Sequence, residues 1–170
     1  MINKGTAILC LSNPKSPSNV GAVMRAAGCY GAEAIYYSGT RFERANNYTQ
    51  DTKDIQSKVP LIAEEDFQQL KNRDRKLVCI ELVEGATPLI SFEHPQDAIY
   101  VFGPEDGSIE QSTIDIADAV VYVPTIGCMN LAATVNVVLY DRMAKTIQSI
   151  DHDALIIESR DQNNRLKTKN

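Results

Sequence analysis

Asn19 and Arg25 stand six residues apart in the stretch NPKSPSNVGAVMRAAGCYG, residues 13–31. Arg25 brings a permanent guanidinium cation, and a rigid helix beside a strand end would let it meet a phosphate or a polarised oxygen. Taken on this segment alone, a solvated surface arginine explains it equally well. A second candidate is Glu105, in the turn sequence Gly103-Pro104-Glu105-Asp106-Gly107. Ligands in open α/β sheets sit beyond the carboxyl ends of strands, where glycines permit close backbone approach. Glu105 is therefore either a ligand-facing acid or a turn carboxylate that satisfies nearby amides. The third group is Cys128 and Asn130, after Pro124 and a tight loop through Gly127. Cys128 near a helix start has a route to a lowered thiol pKa. No histidine lies near it in the chain, so it does not read as a nucleophile.

The elements that must place these residues follow from apolar patterning. Strands are expected at Ala7–Leu11, Ala34–Tyr37, Leu77–Leu82, Ile99–Phe102 and Val120–Val123, and helices at Val20–Tyr30, Glu64–Lys71, Ile109–Ile116 and Met129–Ile147. Alternation of this kind, with strands apolar on both faces, indicates an α/β architecture around a mostly parallel sheet. Pro14 and Pro17 stop the first strand, and Ser18 or Asn19 is placed to cap the helix that carries Val20, Val23, Met24 and Ala27 on one face. Ser108 with Gln111 reads as a capping box for the helix after Glu105. The last long helix is apolar nearly all round, which predicts burial against the sheet and against another subunit. Its amides, Asn130 and Asn136, need partners. Ser38–Lys58 is the least regular internal stretch and reads as a long active-site loop or a mobile one.

The totals narrow the class. The chain has 170 residues, 44% of them hydrophobic and 23% charged, which suits one ordinary globular domain. Its net charge of −5 excludes a bulk basic nucleic-acid binder. Positive charge is nevertheless gathered in places. Arg41, Arg44, Lys53 and Lys58 oppose Glu43, Asp51 and Asp54, and the last eleven residues carry Arg160, Arg165, Lys167 and Lys169 against Asp161. Residues 1–158 are expected to form the domain. Residues 159–170 are expected to be a polar, disordered basic tail that solubilises or touches a phosphate backbone. Four scattered cysteines, no CxxC pair and two histidines argue against a zinc site and for reduced thiols in a cytoplasm. Neither a signal pattern nor a run long enough to span a membrane is seen. The phosphate-loop, GxGxxG and GxSxG signatures are missing.

Together the three stretches resemble the motifs of the SpoU (TrmH-like) family of RNA 2′-O-ribose methyltransferases, in the SPOUT superfamily. The first motif, N-x-G-[NA]-x-x-R, is matched by Asn19, Gly21, Ala22 and Arg25. The second, G-x-E-x-x-G, is matched by Gly103 and Glu105, with Gly107 one residue early. The third corresponds to Val123-Pro124-Thr125, a short loop, and Cys128-Met129-Asn130-Leu131-Ala132. Cys128 and Ala132 replace family serines, and the loop between Thr125 and Cys128 is short.

The resemblance implies an α/β domain with a C-terminal trefoil knot, S-adenosylmethionine as cofactor, RNA as substrate (transfer RNA before ribosomal RNA) and a homodimer. It implies that Glu81, Leu82, Gly103, Val123, Cys128, Asn130 and Leu131 line the cofactor pocket. Arg25 would anchor phosphate and stabilise the developing alkoxide, Asn19 would orient the ribose or Arg25, and Glu105 would fix that network. The two serine replacements also admit a non-catalytic, knotted RNA-binding module. No metal and no membrane enter the scheme.

Overall fold

Five consecutive apolar residues make β1 (Ala7–Leu11), every one of them buried, so this strand is covered on both faces. A computed structural model describes residues 5–46, 59–72, 74–146 and 151–169. In chain order β1 is followed by α1 (Pro17–Tyr30), β2 (Ala34–Tyr37), α2 (Arg41–Asn46), β3 (Leu61–Ala63), β4 (Arg75–Ile80), β5 (Thr87–Pro88), β6 (Asp97–Phe102), α3 (Gln111–Asp115), β7 (Ala119–Tyr122), α4 (Leu131–Thr146) and α5 (His152–Ser159). The strands form one seven-stranded sheet in the order β3-β2-β1-β6-β4-β7-β5, with every described pairing parallel.

Alternate side chains of the central strands feed two cores. Leu9, Leu11, Val78, Ile80, Tyr100 and Phe102 face the layer built from α1 and α4. Ile8, Cys10, Leu77, Cys79, Ile99 and Val101 face the other side, against Phe67 and Ile109. Burial pushes the Cys10 thiol well above its usual pKa and that of Cys79 to about 12, with Glu81 adding to the second. Both therefore act as small apolar core residues.

The chain departs from its sequence pattern in several places. Ser16, not Ser18 or Asn19, caps α1: its side chain accepts from the Asn19 amide, and Pro17 occupies the first turn, where a missing N–H costs nothing. Gly31, at φ 68°, closes the helix in the left-handed conformation. Ser108 does not cap α3, whose flanking residue is Glu110, without a side-chain cap; Gln111 instead bonds Asp115 at 2.7 Å. The expected helix at 64–71 is a single 3-10 turn, Phe67–Leu70, capped by Asp66.

The last long helix also differs. It begins at Leu131 rather than Met129, and its expected end at Ile147 lies outside the described residues. Asn130 precedes it and caps it, its side-chain oxygen accepting from the Ala133 amide at 2.7 Å. Within the chain α4 is buried on one face only, through Leu131, Ala132, Val135, Val138, Leu139 and Arg142, while Val137 and Tyr140 are exposed. Asn136 meets its need inside the helix, donating to the Ala132 carbonyl.

The far end of α4 is fastened to the amino ends of the strands by a closed polar cluster. Arg142 donates to the carbonyls of Pro95 and Gln96, both at 2.6 Å, and to the Tyr100 hydroxyl at 3.1 Å. His94 lies between Tyr100 (2.6 Å from Nδ1) and Asp141 (2.9 Å from Nε2). A neutral ring that donates from Nε2 to the carboxylate and accepts the tyrosine proton at Nδ1 satisfies both contacts. Lys145 closes the group, reaching Asp141 at 2.7 Å and the Leu89 carbonyl at 2.6 Å.

Candidate active site

The order of strands reverses around β1 and β6, which places a crevice beyond their carboxyl ends. A cavity of about 310 Å³ opens there, at the lower end of the usual range for small-molecule sites. Its walls come from four places: Asn19 at the start of α1, Ile80–Leu82 after β4, Phe102–Glu105 and Gly107 after β6, and the run from Tyr122 through Thr134 after β7. Each contribution follows a strand end, so the parallel sheet itself brings the pieces together.

Glu105 ties the first piece to the third. Its carboxylate accepts from the Lys15 amide at 2.9 Å, the Ser16 amide at 3.0 Å and the Asn19 side-chain amide at 3.1 Å. Partial burial pushes this carboxyl upward. The Lys15 amide, the Asn19 side chain, its own amide and that of Ser16 outweigh that and hold it below the usual carboxylate value. Glu105 is thus a fixed anion whose lone pairs are occupied.

Glu81 performs a similar task between the second and third pieces, accepting from the Leu82 amide and from the Ile109 amide, each at 2.9 Å. A Cβ at residue 103 would lie 3.0 Å from the Glu81 carboxylate and 3.3 Å from the Ile109 nitrogen, so Gly103 fits here with little room for a side chain. In the fourth piece Thr125 bonds the Gly127 carbonyl at 2.7 Å and shapes the short loop ahead of Cys128 and Asn130.

Asn19, Glu81, Leu82, Gly103, Glu105, Val123, Cys128, Asn130 and Leu131 therefore share one cavity. Arg25 does not line it. It is exposed on α1, with the buried side of that helix formed by Val20, Val23, Met24, Ala26 and Ala27. Sequence patterning missed Thr125, Met129 and Thr134 in the wall. It also missed the ion pair between Arg41 and Asp106 at the rim, which joins residues 65 positions apart. Met129 stands inside the third motif and Thr134 two residues after it, so both could have been read with it; the ion pair has no local signal. Among the described residues there is no cluster of His, Cys, Asp and Glu able to hold a metal, and no helix long and apolar enough to cross a membrane.

The model of the SpoU rRNA Methylase family matches residues 6–140. No curated protein sequence matches the chain. Among solved structures it is similar to the SpoU methyltransferase AviRb from Streptomyces viridochromogenes in complex with AdoMet: 17% identity, TM-score 0.69, covering 86% of this chain and 60% of that one. It is likewise similar to a TrmH/SpoU tRNA modifying enzyme from A. aeolicus, at 19% identity and TM-score 0.70, covering 85% of this chain and 78% of that one. A third likeness is to a protein solved for the 2-OH methylation of C/U34 on tRNA, at 19% identity and TM-score 0.69, covering 83% and 91%. At these identities the likeness establishes the fold. The chain spans about 60% of the AviRb chain it matches.

Proposed function

This chain belongs to the SpoU rRNA Methylase family, and we propose that it moves a methyl group from S-adenosylmethionine to a ribose 2′-hydroxyl of RNA, with transfer RNA as the substrate class. The observation that carries this reading is the meeting of Asn19, from the amino-terminal third, with Glu105 and the 123–131 segment at one cavity.

The cavity suits the cofactor. Ile80, Leu82, Phe102, Val123 and Leu131 give an apolar bed, Asn130 and Thr134 give polar edges, and the carboxylates of Glu81 and Glu105 complement a cation. Glu81, Leu82, Gly103, Val123, Cys128, Asn130 and Leu131 would hold it. Bound there, S-adenosylmethionine supplies a methyl group activated by a positively charged sulfur.

The protein's own part is positioning and electrostatics. Asn19 donates to Glu105 through its side-chain nitrogen, which leaves its side-chain oxygen to accept from a ribose hydroxyl. Glu105 is poorly suited to act as base, because three donors already occupy its carboxylate. Arg25 is not a base either, since a guanidinium stays protonated in proteins. Its charge stabilises the alkoxide that forms as the hydroxyl proton leaves to solvent.

Arg25 lies outside its own chain's cavity, so we assign it to the cavity of a second copy in a homodimer. The exposed apolar residues Val137 and Tyr140 on α4, and Leu155, Ile156 and Ile157 on α5, support that assembly. We further assign residues 1–158 to the catalytic domain, 159–170 to a solubilising tail, and a trefoil knot to the carboxyl-terminal part. The knot is supported by the return of the chain from β7, beyond β4, to place α4 beside α1. The free cysteines suit a cytoplasmic enzyme. Mapping ribose methylation across total RNA, with and without the gene, tests the function. At least one 2′-O-methyl site in transfer RNA is expected to vanish, and an unchanged map would overturn the reading.

A further inference from the structure

The rim of the cavity carries a charged arrangement that methyl transfer itself does not use. Asp106, next to Glu105 in the loop after β6, is gripped by the guanidinium of Arg41: Nη1 and Nη2 lie 2.9 Å from Oδ1, and Nη2 lies 2.9 Å from Oδ2. The Lys15 ammonium stands 3.5 Å from the same carboxylate. All three side chains are open to solvent, with 31% of Arg41, 50% of Asp106 and 63% of Lys15 exposed. Exposed pairs of this kind contribute little to stability. Two cations converge on Asp106, with Glu105 the next carboxylate along the loop.

Lys15 links this arrangement to the cavity, because its backbone amide donates to Glu105 while its side chain reaches Asp106. We propose that Lys15 and Arg41 form a clasp for an RNA phosphate adjoining the target ribose, and that Asp106 fills the clasp in the free protein. This rests on the reading of the chain as an RNA methyltransferase. A guanidinium fork accepts a carboxylate or a phosphate in the same bidentate geometry, so one can replace the other without rebuilding the site. In RNA the ribose and its phosphate are bonded neighbours, as Glu105 and Asp106 are in the loop. Exchange gives up a solvated ion pair and gains a phosphate contact with release of its counterions.

The test is binding of labelled small RNA, taken from cells lacking the gene, at several salt concentrations. Asp106→Asn is expected to tighten binding by about threefold to fivefold, the scale of one exposed pair. Arg41→Ala and Lys15→Ala are each expected to weaken it and lower the salt slope by about 1. In the background carrying both Lys15→Ala and Arg41→Ala, Asp106→Asn should change nothing. A gain that persists there means bulk charge rather than a clasp and overturns the proposal, as does unchanged or weaker binding by Asp106→Asn alone. Lys15→Ala keeps the Arg41–Asp106 pair and guards against a folding effect. Ribose methylation by the unaltered protein is measured on the same RNA. Its absence sinks the methyltransferase reading, whereas methylation with an unresponsive Asp106→Asn sinks only the clasp.

Discussion

The two ends of the sheet use the same kinds of side chain for opposite purposes. Beneath the far end of α4, an arginine, a lysine, a histidine, a tyrosine and an aspartate are closed on one another, and the His94 side chain has no exposed surface. At the carboxyl ends of the strands, Asn19, Lys15 and Arg41 are only partly engaged and face an open cavity or solvent. Polar groups satisfied by each other hold structure, while those left with a free face are available to a ligand.

Arg25 offers the sharpest way to break this contrast. Because it is exposed, Arg25→Ala should leave the thermal midpoint unchanged while turnover falls about a hundredfold or more. Binding of S-adenosylmethionine, followed by calorimetry, should stay nearly intact. Retained turnover would remove Arg25 from the chemistry.

Arg142→Met is the counterpart at the closed end. It strands the carbonyls of Pro95 and Gln96 and leaves the Tyr100 hydroxyl with His94 alone, so a loss of about 3 kcal/mol is expected in urea unfolding. Stability within experimental error of the parent would mean that the cluster is not a fastening at all.

Glu105→Gln tests the boundary between the two kinds of site. The amide can still accept from Asn19, but not from every donor that Glu105 serves, so kcat/KM should drop about tenfold with a small change in stability. A large loss of stability with little loss of rate would move Glu105 to the structural side.

The smallest effect is a pH slope. Burial, aided by the Arg142 and Lys145 charges, pushes the His94 pKa below its ordinary value of 6.5, against the pull of Asp141. The unfolded chain then takes up the proton first, so stability falls as pH drops below about 6.5 and levels off below the folded value. The lowered carboxyls of Asp141 and Asp97 add their own losses only further down, as pH falls below about 3.8. Urea midpoints between pH 7 and pH 5 should slope in the parent and flatten in His94→Gln.

Local patterning revealed what local forces decide. The bounds of β1 and β2 match their apolar runs, and the strand-end motifs reached the cavity because a parallel sheet gathers strand ends. β3 and β5 are three and two residues long at opposite edges of the sheet, too short for any periodicity to register. Neither α2 nor α5 was read from the sequence; α2 lies in the stretch taken for a loop, and more than half of Ser38–Lys58 falls outside the described residues. Contacts such as His94 with Asp141, or Arg41 with Asp106, join positions 47 and 65 residues apart and leave no trace along the chain. The outward face of α4 was expected to be covered, and the single chain leaves it bare.

Helix α4 is capped by Asn130 in the wall of the cavity and pinned by Arg142 and Lys145 at the opposite end of the sheet. Its 16 residues act as a strut about 24 Å long. Loosening the pinned end tilts the wall at the other. On the proposed function, damage remote from the cavity will therefore register first as a temperature-sensitive loss of methyl transfer, well before the protein melts.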